Sequence, residues 1–148
     1  MKKSLIIYYS YHHGNTEKIA SAMSVATGAE LCKLENISSK NLQDYEVIGL
    51  GAGIAFGKHY DKLLKGASQL DLRGKSVYVF STSGTGGTNC HTALVELLNK
   101  AGATVVGNFG CKGFDTVGPF KLIGGIAKGH PDTSEIEAAK KFALEMVR

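Results

Sequence analysis

Ser4-Leu5-Ile6-Ile7-Tyr8-Tyr9 is an unbroken, β-prone apolar run, and hydrophobicity that does not alternate marks a strand covered on both faces. Val47-Ile48-Gly49-Leu50 and Val77-Tyr78-Val79-Phe80 repeat that character. Each run passes into a loop of small residues and then into a helical pattern. Ile19, Ala20, Met23 and Ala26 share one helix face, as do Leu94, Leu97 and Leu98, and then Ile136, Ala139, Ala143 and Met146. Strand followed by helix, repeated, means a parallel sheet with helices on both faces. The more polar Leu31–Glu35 segment suits one edge and Ala103–Phe109 the other, which predicts an α/β three-layer sandwich with a five-stranded parallel sheet of order 2-1-3-4-5. At 148 residues the chain suits one domain, 1–148, with a core that needs neither metal nor disulfide.

That strand order has a topological switch between the first and third strands, where open sheets bind ligands beyond the carboxyl ends of their strands. The loops brought there are 10–16, 51–60 and 81–88. In the first, Ser10-Tyr11-His12-His13-Gly14-Asn15-Thr16 leads directly into a helix. The unpaired N–H groups and partial positive charge of a helix start suit an anion, to which Ser10, Thr16, Asn15 and the backbone near Gly14 add donors. An ordinary strand-to-helix turn, capped by Asn15 or Thr16, is the plainer reading of the same residues. The nucleotide motifs with fixed spacing are not met. Gly74-Lys75-Ser76 lacks the first Walker glycine, since Gln69 stands there, and Gly49-x-Gly51-x-Gly53 lacks the dinucleotide spacing.

Composition narrows the function classes. The net charge of +4 is spread along the chain, so no basic stripe points to nucleic acid. The longest apolar run is far short of the roughly 20 residues a membrane span needs. Cys32, Cys90 and Cys111 are an odd number without a Cys-x-x-Cys pair, which suits a cytoplasmic protein better than a secreted one. The 110–131 segment has no helical period and exceeds a usual connection, which marks it as a candidate functional loop. Asp132-Thr133-Ser134-Glu135 predicts a capping box for the last helix.

IIYYSYHHGNTEKIA resembles the phosphate-loop signature of flavodoxins, and GAGIAFGKHYDKLL, STSGTGGTNCH and CKGFDTVGPFKLIGGIAKGHP resemble a branch of short flavodoxin-family proteins. The resemblance covers essentially the whole chain. It implies a flavodoxin-like fold holding FMN non-covalently, with the phosphate on Ser10, His12, His13, Gly14, Asn15 and Thr16. The ring would meet Gly51, Ala52, Gly53, Ile54, Phe56 and Gly57 on one loop, and Thr82, Ser83, Gly84, Thr85 and Gly86 on the other. It also implies an electron carrier working between redox partner proteins, a reductase and an acceptor. The alternative is an FMN-dependent NAD(P)H or quinone oxidoreductase of the same superfamily.

The sequence departs from the family pattern in two ways. One residue is extra in the first loop, where His12-His13 replaces hydroxyl, and Trp is absent. Ring stacking therefore falls to Phe56 first, with Tyr60 or His59 behind it, and the other use of Phe56 is as a hydrophobe anchoring its loop to a helix beginning near Lys58. The glycines of that loop would let a carbonyl near Gly53 or Gly57 turn toward flavin N5. Cys90-His91 is a weak nucleophile–base pair, because neighbouring helical residues point apart.

Overall fold

The computed structural model describes residues 1–11, 14–114 and 123–148. Strands β1 (Ser4–Tyr9), β2 (Glu30–Lys33), β3 (Val47–Ala55), β4 (Lys58–His59), β5 (Ser76–Ser83) and β6 (Thr104–Lys112) alternate with helices α1 (Asn15–Thr27), α2 (Asp61–Ser68), α3 (Thr92–Lys100) and α4 (Thr133–Met146). The parallel sheet runs β2-β1-β3-β5-β6, the expected order, and β4 is an added short strand that pairs antiparallel with β3 through Ile54↔His59 and Ala55↔Lys58. The helix expected near Lys58 therefore begins at Asp61. The last strand also continues to Lys112 rather than ending at Phe109, taking Gly110–Lys112 out of the long loop.

The period of two along each strand divides the core into two layers. Leu5, Ile7, Leu50, Val77 and Val79 pack with Leu63 and Ala67 of α2 and Leu94 and Leu98 of α3. Ile6, Tyr8, Tyr78 and Phe80 pack on the other side with Ile19, Ala20 and Met23 of α1 and Ala139 and Ala143 of α4. Both layers are dry, which is why the three central strands read as unbroken apolar runs. Bulk is matched across strands: Gly49 pairs with Tyr78 and Gly51 with Phe80. A Cβ on Gly49 would lie 2.5 Å from the Tyr78 ring, and one on Gly51 would overlap the ring of Phe80. Small beside large is how a close-packed interior accepts two aromatic rings in adjacent positions.

α4 starts as predicted, with the Asp132 side chain accepting from Glu135 N–H and the Glu135 side chain accepting from Asp132 N–H. Glu135 also accepts from Lys112 N–H at 2.9 Å, which fastens the end of β6 to the start of α4. Among the described residues, no helix is long and apolar enough to cross a membrane.

Candidate functional site: a cleft at the carboxyl ends of the strands

β1 delivers Ser10 and Tyr11 to the sheet edge, and α1 begins after Gly14, whose φ of 67° is the left-handed conformation glycine adopts without penalty. Among the described residues, the N-cap Gly14 has no side chain to cap this helix, and Asn15 and Thr16 are turned elsewhere. Asn15 Nδ2 donates to the Phe114 carbonyl at 2.7 Å, and Thr16 Oγ1 shares a hydrogen bond with Thr82 Oγ1 at 2.9 Å. Among the described residues, Ser10 Oγ accepts a long 3.4 Å contact from Glu17 N–H. The α1 start thus keeps backbone donors and dipole for an external anion, while its side chains tie the first loop to β5 and to the segment after β6. The anticipated caps, Asn15 and Thr16, are loop fasteners.

The cleft beside that helix start is lined by Tyr11, Asn15, Gly53, Ile54, Tyr60, Thr82, Ser83, Gly113 and Phe114. Tyr60 stands edge-on to both Tyr9 and Tyr11, with ring centroids 6.1 and 6.2 Å away. The close approach of Gly53 permits this, since a Cβ there would come within 2.8 Å of the Tyr60 ring. On the far wall, Gly113 lies so close to α1 that its Cβ would stand 2.7 Å from Asn15 Nδ2.

The cleft brings together Asn15, Gly53, Ile54, Thr82 and Ser83 of the expected site, with Ser10, Gly14 and Thr16 at the α1 start. Others are placed differently. Gly51 and Ala52 are buried within the sheet, Gly51 facing Phe80 rather than the cleft. Gly84 is buried, and Thr85 and Gly86 border a separate hollow with Phe109, Gly110, Lys112 and Glu135. His12 and His13 lie outside the described residues, as does Asp115–Leu122 of the long loop.

Phe56 and Gly57 form the tip of the β3–β4 hairpin, with φ of 54° and 83°. Phe56 is 87% exposed, so it does not anchor the loop to the core. The Gly53 carbonyl accepts from Tyr60 N–H at 3.1 Å, and turning it toward a ligand would cost that bond. Three lining residues were not among those expected: Tyr11, Gly113 and Phe114. Tyr60 was considered only as a stacking candidate. Phe114 carried a signal in its place within the long aperiodic segment, whereas Gly113 matters only through its contact with Asn15.

Beneath the hairpin, His59 is fully buried and His91 is 2% exposed. His59 Nε2 donates to the Phe80 carbonyl at 3.0 Å. His91 Nδ1 donates to Asn108 Oδ1 at 2.9 Å, which leaves its Nε2 to accept from the Ser81 hydroxyl at 2.7 Å. Ser81, His91 and Asn108 follow the order of a nucleophile, base and orienter. Ser81 is 1% exposed in mid-strand, so its hydroxyl serves the ring and no substrate. Burial, and then the neighbouring His91, press the His59 imidazole down to about 4. Burial lowers His91 as well. Both rings are therefore neutral near pH 7. His130, Asp132 and Glu135 could hold a cation by proximity, but their oxygens are engaged in the α4 cap and in the His130–Glu135 pair.

Residues 5–112 match the model of the flavodoxin domain family. An uncharacterized protein of Methanocaldococcus jannaschii is 37% identical over 148 residues, covering 99% of each chain. Numerous solved structures share the fold. Oxidised flavodoxin 2 from Bacillus cereus has a TM-score of 0.68 at 24% identity, over 97% of both chains. The flavodoxin, WrbA-like protein from Agrobacterium tumefaciens has a TM-score of 0.69 at 15% identity, over 99% of this chain and 96% of that one.

Proposed function

Because the chain belongs to the flavodoxin domain family, we propose that it binds FMN non-covalently in this cleft and carries electrons between larger redox proteins in the cytoplasm. The observation that carries the reading is the aromatic cleft of Tyr11, Tyr60 and Phe114 set against a helix start whose N-cap is Gly14, a residue with no side chain to cap it. The residues present fit the group. The α1 N–H groups and the Ser10 hydroxyl would hold its phosphate, while Ile54, Tyr60, Thr82 and Ser83 would flank its ring.

Bound FMN supplies one- and two-electron transfer; the protein supplies position and surroundings. Thr16–Thr82 and Asn15–Phe114 lock three loops into one frame, so the phosphate and ring subsites keep a fixed separation. Tyr60 closes one wall and packs edge-on against Tyr9. With a net charge of +4, the chain would favour partners that present an acidic face.

The test is the visible absorption spectrum of protein purified without added flavin, then reconstituted with FMN. Flavin bands near one equivalent support the reading, and no binding after reconstitution overturns it. Sustained consumption of NAD(P)H with a quinone by the purified protein would instead favour the oxidoreductase.

A further inference from the structure

The β3–β4 hairpin places two wall residues, Ile54 and Tyr60, at the cleft, yet its strand pairing is only two residues long. A buried side chain, His59, ties it to the body of the protein. This side chain points beneath the hairpin to the Phe80 carbonyl on β5, and its ring lies 4.7 Å from that of His91 at the start of α3. His91 is braced in turn by Ser81 on β5 and Asn108 on β6. Hairpin, two strands and a helix thus meet in one buried polar chain.

We propose that His59 is the positioning residue that holds the hairpin over the cleft, with His91 as its support, and that the pair admits one proton but not two without the hairpin letting go. The chemistry of each ring sets that limit. A proton on His91 Nε2 is tolerated, because the Ser81 hydroxyl rotates from donor to acceptor. His59 has no such recourse. Its Nε2 is already a donor, and its Nδ1 is buried with no hydrogen-bond partner among the described residues, so a second proton would place an unpaired N–H and a positive charge against a cationic ring.

The facing groups offer His59 no relief. β5 presents the Phe80 carbonyl and the Ser81 hydroxyl, β6 the Asn108 amide, and α3 His91 itself. Glu96 of α3 borders the hollow beside His91 with Thr88 and Asn108, and the Asn108 side chain is what favours a proton on His91 against its burial. Lys58 and Asp61 on the hairpin side pair with each other in solvent at 3.2 Å. Burial and the mutual repulsion of the rings are what disfavour charge on His59.

The hairpin's effect on a ligand rests on the flavin reading above, whereas its attachment does not. The experiment therefore uses the full chain without flavin. Hydrogen exchange is measured from about pH 7 down to about pH 4 and expressed as protection relative to the intrinsic rate. Histidine side-chain 15N shifts are followed in the same samples. The expected result is a loss of about tenfold or more in protection at Tyr60 N–H as the second ring titrates, to a level below that of Ile6 and Leu50, whose protection falls only with the global stability that urea unfolding gives in the same samples. His59→Phe keeps an aromatic ring but not the donor. It should lose that protection already at neutral pH and show no further step, and FMN affinity should follow the same pattern.

Flat protection at Tyr60, or protection there that stays equal to that of Ile6 and Leu50, overturns the proposal, as does a pH step at Tyr60 that persists in His59→Phe. If that variant does not fold, the comparison of Tyr60 with Ile6 and Leu50 in the natural chain decides. Exchange that behaves as expected in a chain that never binds FMN would overturn the flavin reading and leave the positioning role standing.

Discussion

Gly113→Ala tests the frame of the cleft most directly. Gly113 is buried and its φ lies outside the left-handed region, so an alanine is opposed only by what its methyl would touch. That is Asn15, with Nδ2, Cγ and Cβ at 2.7, 2.8 and 2.9 Å. Because the Cβ is among the three, rotating the amide cannot clear the overlap, and either α1 or the chain after β6 must move. Overpacking of this kind costs about 1–3 kcal/mol. The displaced amide would also lose its 2.7 Å bond to the Phe114 carbonyl, worth about 1 kcal/mol.

Asn15→Ala alone should cost about 1–2 kcal/mol, through a half-buried carbonyl that loses a donor. In the double variant the space vacated by the Asn15 side chain receives the new methyl. The combined loss should then fall short of the sum of the single losses by about 1 kcal/mol or more. Urea unfolding of the flavin-free proteins gives all three values, with a common slope if the native states stay compact. Additivity within about 0.5 kcal/mol would refute the contact. FMN titration of the same variants should show each single change weakening binding by about tenfold or more, since both move the α1 start relative to the far wall.

Other consequences follow from particular groups. A histidine near 6.5 when unfolded and at about 4 when folded binds more protons unfolded. Stability is therefore full above about pH 6.5 and declines by about 3 kcal/mol as pH falls to about 4, and urea midpoints across that window should be flatter in His59→Phe. Asp132→Ala removes the α4 cap and should cost about 1 kcal/mol. Glu135→Ala also frees Lys112 N–H and should cost more, as paired thermal or urea unfolding would show. Burial first, and then Glu135 and Asp132, push the Cys111 thiol up to about 12, and burial raises Cys32. An aromatic disulfide reagent at about pH 8 should thus modify the half-buried Cys90 first, with mass spectrometry locating the adduct; early modification of Cys111 would contradict its burial.

The layered sheet was legible in the sequence because its causes are local. Unbroken runs such as Leu5–Tyr8 report burial on both faces, the 3.6-residue period of Ile19, Ala20 and Met23 reports a helix face, and Asp132 with Glu135 spells out a cap. The location of the site was legible too, since strand order alone fixes where the switch point falls. Neighbours across the fold were not. Gly51 reads as a loop glycine until register sets it against Phe80, and His59 reads as one more loop aromatic until the hairpin folds it beneath Tyr60.

Gly113 takes its meaning from Asn15, nearly a hundred positions earlier, and Ser81, His91 and Asn108 become a chain only when β5, α3 and β6 converge. Period and capping are written within a few residues of one another. Steric exclusion, buried hydrogen bonding and the repulsion of two imidazoles act between groups that only tertiary structure brings within reach.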